Sequence, residues 1–194
     1  MIKVFCQMKQ KVEECIMEYA QEEYTRHYII TALFKLMSDY DYGEISVTDI
    51  AKKAGVGRAT FYRYFKKKED IIIYYFERTL REYQNNQHYY PRCKEDYIQI
   101  VYNIMVTFKE HKEPFKEHKE PLKLIRKARL ECMYLEYLNK NFVDLFDSSY
   151  PNLNVYTPYL YAGMLFNISM RWLDNNCDED EKKLAEIIVN AIYK

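Results

Sequence analysis

Glycine and proline are scarce in this chain. Only four glycines and five prolines interrupt 194 residues, too few to punctuate many short strands, so long helices are expected and the chain reads as all-α. Net charge is lacking as well, because 29 Lys and Arg balance 29 Asp and Glu. Bulk attraction to nucleic acid or to an anionic membrane is therefore absent, and any such attraction has to come from local clustering. The longest obvious apolar run, Ile71 to Phe76, falls far short of the ~20 residues of a membrane helix. The N-terminal stretch MIKVFCQMKQKVEECIMEY has neither the unbroken apolar core nor the small-residue cleavage site of a secretion signal. No two cysteines form a C-x-x-C pair: Cys6, Cys15, Cys93, Cys132 and Cys177 are scattered and odd in number. That pattern belongs to reduced thiols in the cytoplasm, not to a disulfide frame or a zinc site. With no G-x-S-x-G, no metal-spaced His or Cys set and no acid–base pair, the chain is expected not to be an enzyme and to need no cofactor or metal.

Helical periodicity is present almost everywhere. Ile29, Ile30, Leu33, Phe34 and Met37 recur at three- and four-residue spacing, which predicts a helix over roughly 22–39. Met8, Val12, Cys15, Ile16 and Tyr19 fit one face upstream, so residues 1–24 form an extension that lengthens or precedes that helix. The turn formers of SDYDYGE end it. Ser46-Val-Thr-Asp49 is a capping box for a short helix to Ala54, which Gly55 closes. Further helices are expected from Gly57 to Phe65, from Lys67 or Lys68 to about Gln84, and over 96–112, 122–146, 157–176 and 178–193. Thr157 and Pro158 read as an N-cap and a first-turn proline, and Asp178 and Glu181 as caps of the last helix. The NNQHYYPRC stretch is the natural boundary between a first domain, 25–84, and a second, 85–194.

The heptad FKEHKEP occurs twice, at 108–114 and 115–121. One heptad of helix rises ~10 Å, too far for His111 and His118 to share one ion, and Pro114 lies between them. A solvated hinge whose second proline restarts a helix is the expectation.

One short segment concentrates charge. GVGRATFYRYF, residues 55–65, opens with a Gly-x-Gly turn and then alternates basic and aromatic side chains. A phosphate cradle would need a preceding strand and a third glycine or a GK[ST] ending, and neither is here. Two short helices joined by a glycine turn make a helix-turn-helix instead. From Ile50 to Lys68 there are seven Lys or Arg and no Asp or Glu, a local basic face of the kind that meets DNA phosphates. Phe61 and Phe65 at i, i+4 point to the core, while Tyr62 and Arg63 point away.

The segment SVTDIAKKAGVGRATFYRYFKKKEDI resembles the DNA-binding signature of the tetracycline-repressor (TetR) family of bacterial regulators. The likeness covers about Thr25 to Leu80 and departs at Val47, where the family has Thr, and at Gly57, where it has Ser or Asn. The lost side-chain cap costs only a few tenths of ~1 kcal/mol. The resemblance implies that Arg58, Ala59 and Arg63 meet base edges and that Thr48 reaches one from the preceding helix. It also places Thr60, Tyr62, Tyr64 and Lys68 at phosphates. For Tyr64 the periodicity equally allows packing beside Phe61, and Lys68 would also offer the helix-start amides to an anion.

The second half carries YLYAGMLFNISMRWL, apolar on nearly all sides, and a last helix with Leu184, Ile187, Ile188, Ala191 and Ile192 in one stripe. Such helices bury two faces. Gly163, Phe166, Trp172, Leu184 and Ile188 are the expected dimer interface, since a reader of twofold operators needs a symmetric partner. With its Gly163 and Trp172 spacing, this half is similar to the type found in regulators of dihydroxyacetone kinase operons. Tyr102, Tyr134, Tyr137 and Phe166 are candidates for an effector pocket, although aromatics at helical spacing build cores more often than pockets. The expectation is a cytoplasmic, homodimeric, DNA-binding transcription regulator, a repressor released by an unknown small-molecule effector. The alternative is a coactivator-type regulator controlled by a protein partner.

Overall fold

The computed structural model describes residues 2–85, 93–109, 119–149 and 154–193, and every regular element among them is helical. In chain order these are α1 (Ile2–Asp39), α2 (Val47–Ala54), α3 (Arg58–Tyr64), α4 (Lys68–Asn85), α5 (Lys94–Lys109), α6 (Lys119–Lys127), α7 (Glu131–Ser149), α8 (Thr157–Asp174) and α9 (Glu181–Ile192). The all-α expectation stands. Two compact units divide the chain, Met1–Ile71 and Ile72–Lys194, so α4 begins in the first and continues in the second.

In the first unit α1 packs on α2 and α2 on α3. The N-terminal extension is continuous with α1. Ile29, Ile30 and Leu33 of α1, Ile50 of α2, Phe61 of α3 and Ile71 of α4 are all fully buried. Each contributes about 1.5–3 kcal/mol relative to exposure. The capping box forms as read: Asp49 N–H donates to Ser46 Oγ at 3.2 Å and Ser46 N–H to Asp49 Oδ2 at 3.0 Å. Hydrogen bonds from Ser46 hold the Asp49 carboxyl below its usual range, so the cap keeps its charge. Gly55 has φ 69°, a left-handed turn that a Cβ would strain.

In the second unit α5 packs on α9, α7 on α8, and α6 touches α8. Several boundaries differ from expectation. The single helix expected over 122–146 is two, α6 and α7, separated at Ala128–Leu130 where Arg129 takes φ 59°. Neither glycine nor proline marks that break. Helix α8 starts one residue earlier than read, with Tyr156 as N-cap and Thr157 inside the helix; Asn154 Oδ1 accepts from Tyr156 N–H at 2.9 Å. The cap of α9 is Asp180, which accepts from Lys183 N–H at 2.9 Å, in place of Asp178 or Glu181. The expected start of α5 moves to Lys94. Most of the FKEHKEP duplication and of NNQHYYPRC lies outside the described residues.

Candidate nucleic-acid interface

Helix α3 is two turns long and sorts its side chains sharply. Phe61 is 0% exposed and anchors the helix, its ring 6.1 Å from that of Phe65, itself 3% exposed. Arg58, Ala59, Tyr62 and Arg63 are all exposed. At 100° per residue those four positions share an arc of about 140° opposite the anchor. Thr60 and Tyr64 flank the arc, half-buried, and Thr48 is exposed on α2. The six α3 residues therefore lie on the face of the helix turned from Phe61 or at its edge. Arg58 lies with its guanidinium carbon 6.0 Å from the centre of the Tyr62 ring.

For Tyr64 the structure shows a third arrangement beside the two left open by periodicity. The guanidinium of Arg26, on α1, sits 5.0 Å over its ring, a cation–π contact that ties the end of α3 to α1. Arg26 was not singled out in the sequence, because nothing in a lone basic residue on a helix 38 residues upstream announces a ring partner.

Lys68 is not brought to the outer arc. Its ammonium donates inward, to the carbonyls of Tyr42 at 2.5 Å, Ile45 at 2.9 Å and Gly43 at 3.5 Å. Just before the helix, Lys66 and Lys67 N–H donate to Asp70 Oδ2 at 2.9 and 3.1 Å. The anion that favours this helix terminus is thus the chain's own Asp70. Its three-residue spacing from Lys67 is the signal that could have found it. In the chain without DNA the Lys68 ammonium is thus engaged internally.

The remaining candidates lie in the second unit. Tyr134 and Phe166 meet at 5.9 Å, and Phe76 lies tilted against Tyr134, at 4.9 Å, and stacked on Tyr137, at 5.8 Å. Tyr134 is fully buried, and burial pushes its hydroxyl far above the ordinary range; it is core. Tyr137 is half-buried, with its pKa pushed up to about 12 by burial and by Glu77. It lines a groove of about 340 Å³ together with Ile73, Met133, Asn141 and the charged Glu77, Glu136, Lys140 and Asp144. Tyr102 is half-buried on α5 and is not part of that lining. Of the five residues expected at a dimer interface, Trp172 is 3% exposed and Ile188 4%. Both belong to the core of their own chain, and Trp172 Nε1 donates to Glu179 O at 3.1 Å. Gly163, Phe166 and Leu184 are half-buried. The exposed apolar side chains are others: Tyr159 and Leu160 on α8, Ile187 and Ile192 on α9.

Residues 29–75 match the family described as bacterial regulatory proteins, tetR family. The dhaKLM operon transcriptional activator DhaS of Lactococcus lactis is 42% identical over 64 residues, 32% of this chain and 34% of that protein. The fatty acid metabolism regulator protein of Bacillus subtilis is 40% identical over 55 residues, 28% of each chain. The matched part thus spans about a third of the length of these curated relatives. Among solved structures, Lin0861 from Listeria innocua is 21% identical with a TM-score of 0.71, covering 89% of this chain and 91% of that one, which shows a shared fold. The family match falls on the stretch that holds the helix-turn-helix, so residues 29–75 are a domain of the tetR family of bacterial regulatory proteins.

Proposed function

We propose that this chain is a DNA-binding transcription regulator that reads a twofold operator as a homodimer in the cytoplasm and represses until a small molecule releases it. The observation that carries the reading is the arc of α3, where Arg58, Ala59, Tyr62 and Arg63 stand exposed in a segment with no acid from Ile50 to Lys68. Such an arc, set on a two-turn helix, fits a major groove. Arg58, Ala59 and Arg63 take the base edges, Thr48 assists from α2, and Thr60, Tyr62 and Tyr64 hold phosphates. Residues 25–84 carry DNA reading and 85–194 carry sensing and dimerisation.

Dimerisation is assigned to the outer sides of α8 and α9. Leu160 is 71% exposed and Ile187 57%, and a methyl group at Gly163 would meet nothing within 4 Å in the single chain. That glycine is not demanded by intrachain packing, which suits a surface kept for a second copy. Leu160→Glu is expected to yield monomers by light scattering and to weaken DNA binding; a dimer of unchanged stability would reject this surface. The effector is assigned to the groove beside Tyr137, over the Phe76, Tyr134 and Phe166 cluster.

Selection from a random duplex pool tests the reading. The expected product is an inverted repeat with half-sites about one helical turn, ~34 Å, apart. No enrichment over scrambled duplex would overturn it. The sign of regulation is tested by deleting the gene and following a reporter fused to the selected site. Rising expression supports repression, whereas falling expression supports the activator reading that the DhaS name carries for its own protein.

A further inference from the structure

We propose that Tyr42, Lys68 and Glu69 form a latch that closes the base of the helix-turn-helix, and that Tyr42 and Lys68 are positioning residues for operator recognition. The inference rests on the DNA-binding reading above. The chain enters the motif at Ile45, the residue before the Ser46 cap of α2, and leaves it at Lys68, the first residue of α4. Those two ends are bonded directly, Lys68 Nζ to Ile45 O at 2.9 Å. The same ammonium reaches Tyr42 O at 2.5 Å and Gly43 O at 3.5 Å and lies 4.2 Å over the Tyr42 ring. An ammonium has three N–H donors, and three carbonyls meet it. The Tyr42 hydroxyl then donates to Glu69 Oε1 at 3.0 Å, so side chains of two successive residues of α4 grip one loop.

Everything from Ser46 to Lys67 hangs from this closure, including the whole α3 arc. The loop it grips is otherwise held by the buried Ile45 side chain and two backbone bonds, Glu44 N–H to Asp41 O at 2.9 Å and Ile45 N–H to Tyr42 O at 3.3 Å. Release of the latch would leave Phe61 and Ile50 buried and the motif folded, but would let its angle to α4 vary. Arginines that need bidentate geometry lose discrimination when their helix is misaimed, while the long-range attraction of cations for phosphate is insensitive to angle. A latch therefore shows itself as specificity, not as general affinity.

The experiment compares Tyr42→Phe, Lys68→Met and Glu69→Gln with the wild-type full chain, using a selected duplex and a scrambled one across a salt series, with a thermal melt of each variant. Tyr42→Phe is expected to lower affinity for the selected duplex about three- to tenfold, the effect of one lost hydrogen bond. Its affinity for scrambled duplex should stay within about twofold. Lys68→Met is expected to lower the selected affinity further with an unchanged salt slope. Glu69→Gln keeps an oxygen acceptor and is expected to behave as wild type. If Lys68→Met reduces the slope by about one and weakens both duplexes equally, Lys68 is a phosphate contact and the latch is overturned. Lower melting temperatures with an unchanged selected-to-scrambled ratio would overturn it too, as would variants indistinguishable from wild type. A wild-type chain without any duplex preference would overturn the DNA reading itself and this inference with it.

Discussion

Arg63→Ala should weaken binding of the selected duplex by about 5- to 150-fold, the 1–3 kcal/mol that a bidentate arginine–guanine contact discriminates. Arg63 is exposed on the α3 arc with its Cα two residues from the Phe61 anchor, so truncating it removes a reaching guanidinium without touching the core. The loss should fall on one base pair. Repeating the selection with the variant should give a site whose preference is relaxed at that position and retained elsewhere. Lys67→Ala is the contrast, an exposed cation at the foot of α4. It should weaken every duplex alike and flatten the salt slope by up to about one. Equal losses on selected and scrambled duplex for Arg63→Ala would move that residue from base reading to phosphate contact.

Phe61→Ala should cost about 3–5 kcal/mol, the usual penalty for deleting a buried phenyl ring and leaving its cavity. The side chain is wholly inaccessible and stands between the rings of Phe65 and Tyr62, at 6.1 and 5.5 Å. Small domains hold only about 5–15 kcal/mol in total, so this one change removes a large share of the stability of the first unit. A far-UV circular dichroism melt should fall by tens of degrees or split into two transitions. Phe61→Leu should recover much of the loss because it refills most of the volume. A penalty under ~1 kcal/mol for the alanine would show that α3 is held by something other than this ring. DNA binding by Phe61→Ala should fail at temperatures where wild type still binds, and should return on cooling below its melt.

These two residues also mark where the sequence was most informative. Phe61 and Phe65 at helical spacing, following a glycine that closes one helix and a glycine that opens the next, left little freedom in reading the motif. The Ser46–Asp49 box and the left-handed Gly55 were legible because each solves a local backbone problem with neighbouring residues. The break between α6 and α7 was not legible, because Arg129 adopts φ 59° with no residue there that favours it; the helix end is closed by backbone bonds, Leu130 N–H to Ile125 O at 3.0 Å among them. The cap of α9 was misassigned within a run of four acids, D-E-D-E at 178–181, where propensity cannot choose among neighbours. Trp172 and Ile188 read as interface because an all-round apolar helix does not say which face meets its own chain. The inward turn of Lys68 was invisible for a different reason: its partners are backbone carbonyls 23–26 residues upstream, and carbonyls have no letter.

Helix α4 runs unbroken through the division between the units at Ile71 and Ile72, and this constrains how the protein can be dissected. A fragment ending at the compact limit would keep only Lys68 to Ile71, a single turn. One turn fixes about six dihedral angles for its first hydrogen bond and does not persist alone in water. The ammonium and carboxyl that grip Tyr42 ride on that turn, so such a truncation would cost the head more than the residues it removes. An excised reader of DNA has to carry α4 out to Asn85, bringing with it apolar side chains of Tyr75 and Phe76 that then stand in need of a new cover.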